Sequence, residues 1–245
     1  MKFGTLWFGN KPTILQKISW SSYLYHGHEL FIYVYDKDIE LPKGAIKMDA
    51  NEIIDESKIF LPKVGYGGGH SQFSDYFRIR MLKNTDFIWT DSDIVCLKNE
   101  WPDQEPCLFG KQIATPDGEG ALNINNDILY ISQPEVLEEI LERQKVIPEN
   151  FEQETMMGPN LLTEIIEKHG LMSYAKPEQM FHSIRWANVD YFIREDKTKE
   201  ALALIADNPA VSLYHSSWTG HNLIPLLEAP ISTNTVLGKF IEKYL

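Results

Sequence analysis

Two aspartates lie one residue apart in Trp89-Thr90-Asp91-Ser92-Asp93. In extended backbone, residues i and i+2 point to the same side. Neighbouring carboxylates repel each other, and one resists ionisation unless a cation lies between them. Hard oxygen ligands suit Mg²⁺ or Mn²⁺, and such an ion usually shares its shell with phosphates. A bare D-x-D triplet also serves as a solvated acidic turn, so spacing alone leaves both readings open. The apolar run Phe87-Ile88-Trp89-Thr90 before it favours the first. Open α/β sheets bind ligands beyond the carboxyl ends of their strands.

Four further segments carry candidate chemistry. Asp75 and Arg78 are three residues apart, so on a helix they share a face. They form either a local ion pair or a pair aimed at a ligand, with Asp75 accepting from hydroxyls and Arg78 facing an anion or a sugar. The Gly65-Tyr66-Gly67-Gly68-Gly69-His70 segment is expected to be a mobile loop, either a lid or a plain connection. It lacks the Gly-Lys-Ser/Thr ending of a P-loop, which argues against an ATPase. Tyr214-His215-Ser216-Ser217-Trp218 follows a strand pattern and offers a metal or phosphate ligand and an indole donor, or else ordinary packing. Asn123-Ile124-Asn125-Asn126-Asp127 is polar and is expected in a turn, with Asn125 and Asn126 as possible sugar contacts.

These residues need elements to position them. Lys2 to Phe8 reads as a strand, about Pro12 to Tyr25 as a helix stopped by Gly27, and Glu29 to Tyr35 as a buried strand. Strand, helix, strand is a βαβ opening and favours a parallel sheet in an α/β fold. A short acidic helix is expected at Asn51 to Glu56. Ser71 is expected to cap a helix running to about Asn84. Strands fit Cys107 to Gly110, Ile128 to Ile131 and Val211 to His215. Helices fit Pro134 to Arg143, Pro159 to His169 and the stretch from about Thr235. No internal repeat or linker interrupts the pattern, so one domain over residues 1–245 is expected.

The 245 residues carry 23 basic and 35 acidic side chains, a net charge of −12. That field repels DNA, RNA and anionic lipid surfaces, which sets nucleic acid aside as a partner. Cys96 and Cys107 are too few for a disulfide framework or a cysteine-rich zinc site. The N-terminal stretch is broken by glycine and asparagine, unlike a signal peptide, and no apolar run approaches the roughly 18 residues a membrane span needs. A soluble, cytoplasmic protein with no transmembrane segment is expected. There is no Gly-x-Ser-x-Gly elbow, His-Glu-x-x-His or C-x-x-C.

Together the segments resemble glycosyltransferases with a DXD sugar-binding region. That group contains initiation-specific mannosyltransferases, lactosylceramide galactosyltransferases and bacterial capsule enzymes. The resemblance lies in Ser74-Asp75-Tyr76-Phe77-Arg78 and, sixteen positions after Asp75, Asp91-Ser92-Asp93-Ile94. Leu6-Trp7-Phe8-Gly9, His26 to Asp36, Gly158 to Thr163 and the His215 to Trp218 block add to it. The family's Gly-Gly pair before the DXD strand is Asp86-Phe87 here, and Trp218 lies one position late.

The resemblance implies a GT-A-like, Rossmann-like fold with a central, mostly parallel sheet flanked by helices. It implies a UDP- or GDP-sugar donor, a glycan or glycolipid acceptor, Mn²⁺ or Mg²⁺, and retention at the anomeric carbon. By position, Asp91 and Asp93 would hold the metal, with His215 completing the metal or diphosphate site. Asp75 and Arg78 would contact the donor sugar and ribose, and Trp7 and Phe8 would lie near the base and ribose. Trp218 would be a further substrate contact. Asp91, Asp93 and Arg78 are the expected catalytic residues. No position must be a covalent nucleophile, which fits front-face displacement. The alternatives are a non-catalytic nucleotide-sugar or glycan binder on the same scaffold, and a two-carboxylate hydrolase. A single metal ion suits i, i+2 aspartates better than a glycosidase pair does.

Overall fold

The computed structural model describes residues 1–9, 11–61, 70–113, 115, 120, 122–145 and 157–245. Strand β1 (Lys2–Trp7), helix α1 (Ile14–Tyr25) and strand β2 (Glu29–Val34) form the parallel βαβ opening, in register from Lys2 opposite Glu29 to Trp7 opposite Val34. Thr13 and Gln16 close a capping box at the start of α1, and Gly27, with φ 76°, makes the turn into β2. Strand β3 (Ile46–Asp49) then adds to β2 in parallel. Helix α2 (Ser71–Asn84) leads to strand β4 (Ile88–Thr90), which lies parallel to β1 on its other side.

The second half runs through β5 (Ile94–Cys96), β6 (Cys107–Ile113), β7 (Leu122–Ile131), α3 (Pro134–Gln144) and α4 (Pro159–Lys168). After a series of 3-10 turns come α5 (Thr198–Ile205), β8 (Ala210–Ser212), α6 (His215–Gly220) and α7 (Val236–Tyr244). The main sheet has the order β3-β2-β1-β4-β7-β6, with its last two strands antiparallel, and β5 pairs with β8 in a small second sheet. This is a mixed α/β fold around a six-stranded, mostly parallel sheet flanked by helices.

Both faces of the central strands are buried, which explains their continuous apolar runs. Tyr33, Trp89, Leu129 and Phe109 belong to the core under α2, α3 and α4. Their sequence neighbours Ile32, Ile88, Ile128 and Leu108 pack into the opposite core with Trp20 and Tyr23 of α1. Thus α1 and α2 leave the sheet on opposite faces, and the strand order reverses between β1 and β4. The crevice at the carboxyl ends of β1 and β4 is the topological switch point, where such sheets bind ligands.

Several expectations need correction. The asparagine-rich segment is strand, not turn: Leu122 to Asn125 pair with Ile113 to Gly110. The β6–β7 register then shifts between Phe109 and Gly110, leaving Asn126 to Ile128 outside that ladder. Ladder pairing here overrides the local turn preference of asparagine. Ser71 is the first residue of α2; the cap position is His70, with no side-chain bond. His215 opens α6 rather than ending a strand. The acidic helix resolves into two 3-10 turns, Ala50–Glu52 and Glu56–Lys58. Gly65 to Gly69 lie outside the described residues.

Gly238 shows how tightly the last helix is seated. A Cβ on it would lie 2.0 Å from the Ser232 carbonyl oxygen, whereas one on Gly220 would meet nothing within 4 Å. Gly238→Ala should cost roughly 1–3 kcal/mol, seen as a Tm drop of roughly 2–4 °C per kcal/mol. Gly220→Ala should stay within about 0.5 kcal/mol of the parent. Equal Tm values for the two variants would refute this packing.

Candidate active site

Strand β4 delivers Asp91 to the crevice, and backbone bonds fix it there. The Asp91 N–H donates to the Asp127 carbonyl at 2.7 Å, and the Asp91 carbonyl accepts from the Ile94 N–H at 3.3 Å. The Tyr23 and Thr90 hydroxyls lie 2.7 Å apart and tie the strand end to α1. Trp89, two residues before Asp91 on the same face, donates its indole N–H to Asp91 Oδ1 at 2.7 Å.

Arg78 stands behind Asp91. Its Nη2 lies 3.1 Å from Asp75 Oδ1 and 3.2 Å from Asp91 Oδ1, and its guanidinium lies 4.8 Å from the Trp89 ring centroid. Nη1 donates to the Asn126 carbonyl, and Asn126 Nδ2 donates to Asp75 Oδ1 at 2.7 Å. The side chains of Arg78 and Asp75 are only 4% and 11% exposed, so here they face each other and Asp91 rather than open solvent. Gly158 completes the wall, because a Cβ there would lie 2.4 Å from Asp75 Oδ2.

Asp93 is held from another direction. Its Oδ2 accepts the His215 backbone N–H at 2.7 Å, and its carbonyl accepts the Leu213 N–H at 2.9 Å. Tyr214 between them adopts a left-handed conformation with φ 51°, which aims the His215 N–H at the carboxylate. His215 therefore meets Asp93 through its main chain. Among the described residues, no three His, Cys, Asp or Glu side chains gather into a metal-holding group. Asp91 and Asp93 each have one oxygen bound by a neighbour and a second that bonds to no other described residue. Two hard carboxylates fit part of a shell for Mg²⁺ or Mn²⁺, the rest falling to substrate oxygens and water.

Sequence reasoning missed Asp127 and His182. Continuing the β4–β7 register from Thr90 opposite Ile128 puts Asp127 across from Asp91. His182 Nε2 lies 2.9 Å from Asp127 Oδ2, and its Nδ1 lies 3.1 Å from the Lys111 carbonyl. A carbonyl and a carboxylate both accept, so the ring donates at both nitrogens and carries charge. Asp127 Oδ1 is buried and has no partner among the described residues. A polar chain supports this group. The Asp127 N–H donates to Asn125 Oδ1 at 2.9 Å, Asn125 Nδ2 donates to Gln112 Oε1 at 2.5 Å, and Gln112 Nε2 donates to the Tyr214 hydroxyl at 3.2 Å. Fifty-five positions separate Asp127 from His182, so no local spacing announces the pair. The only sequence signal was the acidic end of the asparagine-rich segment.

The other candidate residues fall as follows. Trp7 and Phe8 stand at the carboxyl end of β1. The Trp7 indole N–H is buried without an acceptor, and Phe8 stacks on His70 with centroids 3.8 Å apart. Asn126 belongs to the Arg78 wall and Asn125 to the chain beneath Asp127. Trp218 is a correction: it is fully buried and gives its indole N–H to the Leu213 carbonyl at 2.7 Å, so it cannot face a ligand. Asp86 pairs with Lys2 at 2.9 Å and Phe87 stacks on Phe31 at 4.1 Å, both at the other end of β4. A shallow groove lined by Lys83, Asp86, Tyr130 and Pro134 lies at that far end too.

The electrostatics follow from this crowding. Burial raises the Asp91 carboxyl to about 8; Arg78 opposes the rise, and Asp93 and Asp127 add to it. Its side chain still has 31% of its surface open to the crevice. Asp93 is also raised, by burial first, with the His215 N–H working against it. Asp75 is raised by burial, partly offset by Arg78 and Asn126. Burial works against a charged His182, but Asp127 and the Lys111 carbonyl outweigh it and raise the imidazole.

No protein-family model and no curated protein matches the chain. One similar solved structure is the PaToxG glycosyltransferase, at 16% identity over 69% of each chain and a TM-score of 0.46. A likeness that distant carries no weight for function.

Asp91 ties the site to stability. Its folded carboxyl titrates above the unfolded value of roughly 3.9, so the metal-free folded protein keeps a proton that the unfolded chain releases. Metal-free stability should therefore carry a falling component as pH rises from roughly 4 to about 8. Asp91→Asn removes that component. The Tm advantage of Asp91→Asn in EDTA should be widest above pH 8 and should close toward pH 4. A variant less stable than the parent at every pH would contradict the assignment.

Proposed function

We propose that the chain is a metal-dependent glycosyltransferase of GT-A type. It would move a hexose from a UDP- or GDP-sugar to a hydroxyl of a glycan or glycolipid, with retention at the anomeric carbon. The observation that carries this reading is the pairing of Asp91 and Asp93 at the β1–β4 switch point. Separate elements hold them there, and among the described residues each keeps one carboxylate oxygen uncommitted. The sequence resemblance through Asp75, Arg78, Asp91 and Asp93 points the same way. Of the described helices, none is long and apolar enough to cross a membrane. Cytoplasmic action in polysaccharide synthesis belongs to the same proposal.

The roles follow from the contacts. A bound Mn²⁺ or Mg²⁺ would supply positive charge where the leaving diphosphate gains negative charge. Asp91 and Asp93 would hold that ion, one oriented by Arg78 and Trp89 and the other by the His215 N–H. Arg78 is a positioning residue: it fixes Asp91 and Asp75 without being open to solvent. Trp7 and Phe8 stand at the carboxyl end of β1, where a base and ribose would rest. Entry of the acceptor hydroxyl on the leaving-group side gives retention with no covalent intermediate.

The test is release of nucleoside diphosphate from UDP-glucose, UDP-galactose, UDP-N-acetylhexosamines and GDP-mannose, each with Mn²⁺ and with EDTA. One donor should be turned over with Mn²⁺ alone. Asp93→Ala should lower that rate at least about 100-fold. Arg78→Lys should lower it at least about tenfold, because an ammonium cannot span Asp75, Asp91 and the Asn126 carbonyl together. Turnover that survives EDTA or Asp93→Ala would refute the proposal. So would failure of every nucleotide to bind with Mn²⁺.

A further inference from the structure

Asp127 is the unexplained group in the crevice. The whole residue is 5% exposed, and its Oδ1 is buried with no hydrogen-bond partner among the described residues. Its Oδ2 is taken by His182, which is itself 1% exposed and locked from behind by the Lys111 carbonyl. The imidazole therefore sets the carboxylate rotamer and leaves Oδ1 as the free end. A buried, unpaired carboxylate oxygen is costly, and native proteins keep one where something else completes it. The protein spends further structure on this arrangement. The register shift frees Asn126 to Ile128 from β6, and Asn125, Gln112 and Tyr214 brace the Asp127 backbone.

The position limits what the partner can be. Asp127 lies across the strand from Asp91, where paired side chains start roughly 4.5–5.5 Å apart at Cβ. Asp127 and Asp91 feel each other's charge, as do Asp127 and Asp93. A carboxylate oxygen accepts, so a donor would complete it. Among the described residues the three aspartates do not form a three-ligand metal group, and a hydroxyl of the substrate is the donor that a sugar-binding crevice would supply. A sugar joined to a diphosphate held at Asp91 and Asp93 would bring its hydroxyls within one residue's reach of Asp127.

We propose that Asp127, oriented by His182, accepts a hydrogen bond through Oδ1 from a hydroxyl of the donor hexose. This rests on the transferase reading above and deepens it. The site would select a hexose with that hydroxyl free and reject the matching deoxy sugar. His182 is a positioning residue, acting through Asp127 without touching the sugar.

The test compares the intact protein with Asp127→Asn and His182→Gln by titration calorimetry with Mn²⁺. The probes are UDP, GDP and the nucleotide sugar that the parent binds best. In the parent, the sugar should add affinity over the bare nucleoside diphosphate. In Asp127→Asn, affinity for the bare nucleoside diphosphate should stay within about threefold, while the increment from the sugar falls at least about tenfold. His182→Gln should lose part of the same increment. Monodeoxy donors add a second readout: one of them should bind the parent as weakly as the full donor binds Asp127→Asn, and should lose nothing further in that variant. Three results would overturn the assignment. Asp127→Asn could keep the sugar increment, or lose the bare nucleoside diphosphate equally, which would make Asp127 a metal or structural residue. Alternatively, every deoxy donor could bind the parent as well as the full sugar. If the parent binds no nucleotide with Mn²⁺, the transferase reading itself fails.

Discussion

Among the described residues, Arg78 is the one lysine or arginine that is buried. Burying a guanidinium is costly unless every face of it is answered. Here Asp75 and Asp91 answer its charge, the Asn126 carbonyl takes a donor, and the Trp89 ring covers it. Those partners come from α2, β4 and β7. A single cation therefore ties three elements together, and the crevice wall depends on it. The arrangement also leaves an imbalance. Asp91, Asp93 and Asp127 crowd one end of the sheet, and Arg78 and His182 are the cations in direct contact with them. Without a bound cation that crowding, together with burial, holds the Asp91 and Asp93 carboxyls above their ordinary range. A divalent ion with a diphosphate would relieve that imbalance better than a solvated surface turn could.

Fold and site share one cause. The strand order reverses between β1 and β4, so α1 and α2 leave opposite faces and their chains do not close the crevice. β7 then joins β4 antiparallel and carries Asn126 and Asp127 to the same end as Asp91. The bulge in the β6–β7 ladder is what allows it. Without the shift at Phe109 and Gly110, Asn126 and Asp127 would be committed to β6 pairing.

Local chemistry was legible in the sequence; long-range chemistry was not. The βαβ opening could be read from its apolar runs and from Gly27. The Asp75–Arg78 spacing gave a shared helix face, which follows from backbone geometry alone. The Asp91–Asp93 pair does stand at the carboxyl end of a strand, but not on the extended backbone expected: Asp91 to Ile94 form a turn closed by the Ile94 N–H on the Asp91 carbonyl. The asparagine-rich strand was misread because its ladder partners are Gly110 to Ile113, and only tertiary pairing overrides turn preference. Trp218 was misread because an indole serves equally as ligand contact or core, and only packing shows that its N–H goes to Leu213. Asp127 and His182 meet across fifty-five positions, with no motif to connect them.

The central claim is that Asp91 and Asp93 provide part of a metal shell, and the substrate diphosphate and water the rest. The most direct measurement is the thermal shift of the intact protein with Mn²⁺ alone, with UDP or GDP alone, and with both. Binding to the folded state alone raises Tm by an amount that grows with the logarithm of ligand concentration over Kd. Each component alone should shift Tm little, while the two together should shift it by more than the sum, and Asp93→Ala should abolish the excess. A full shift from Mn²⁺ alone would mean that the protein supplies a complete metal site. No excess with either nucleotide would contradict the account.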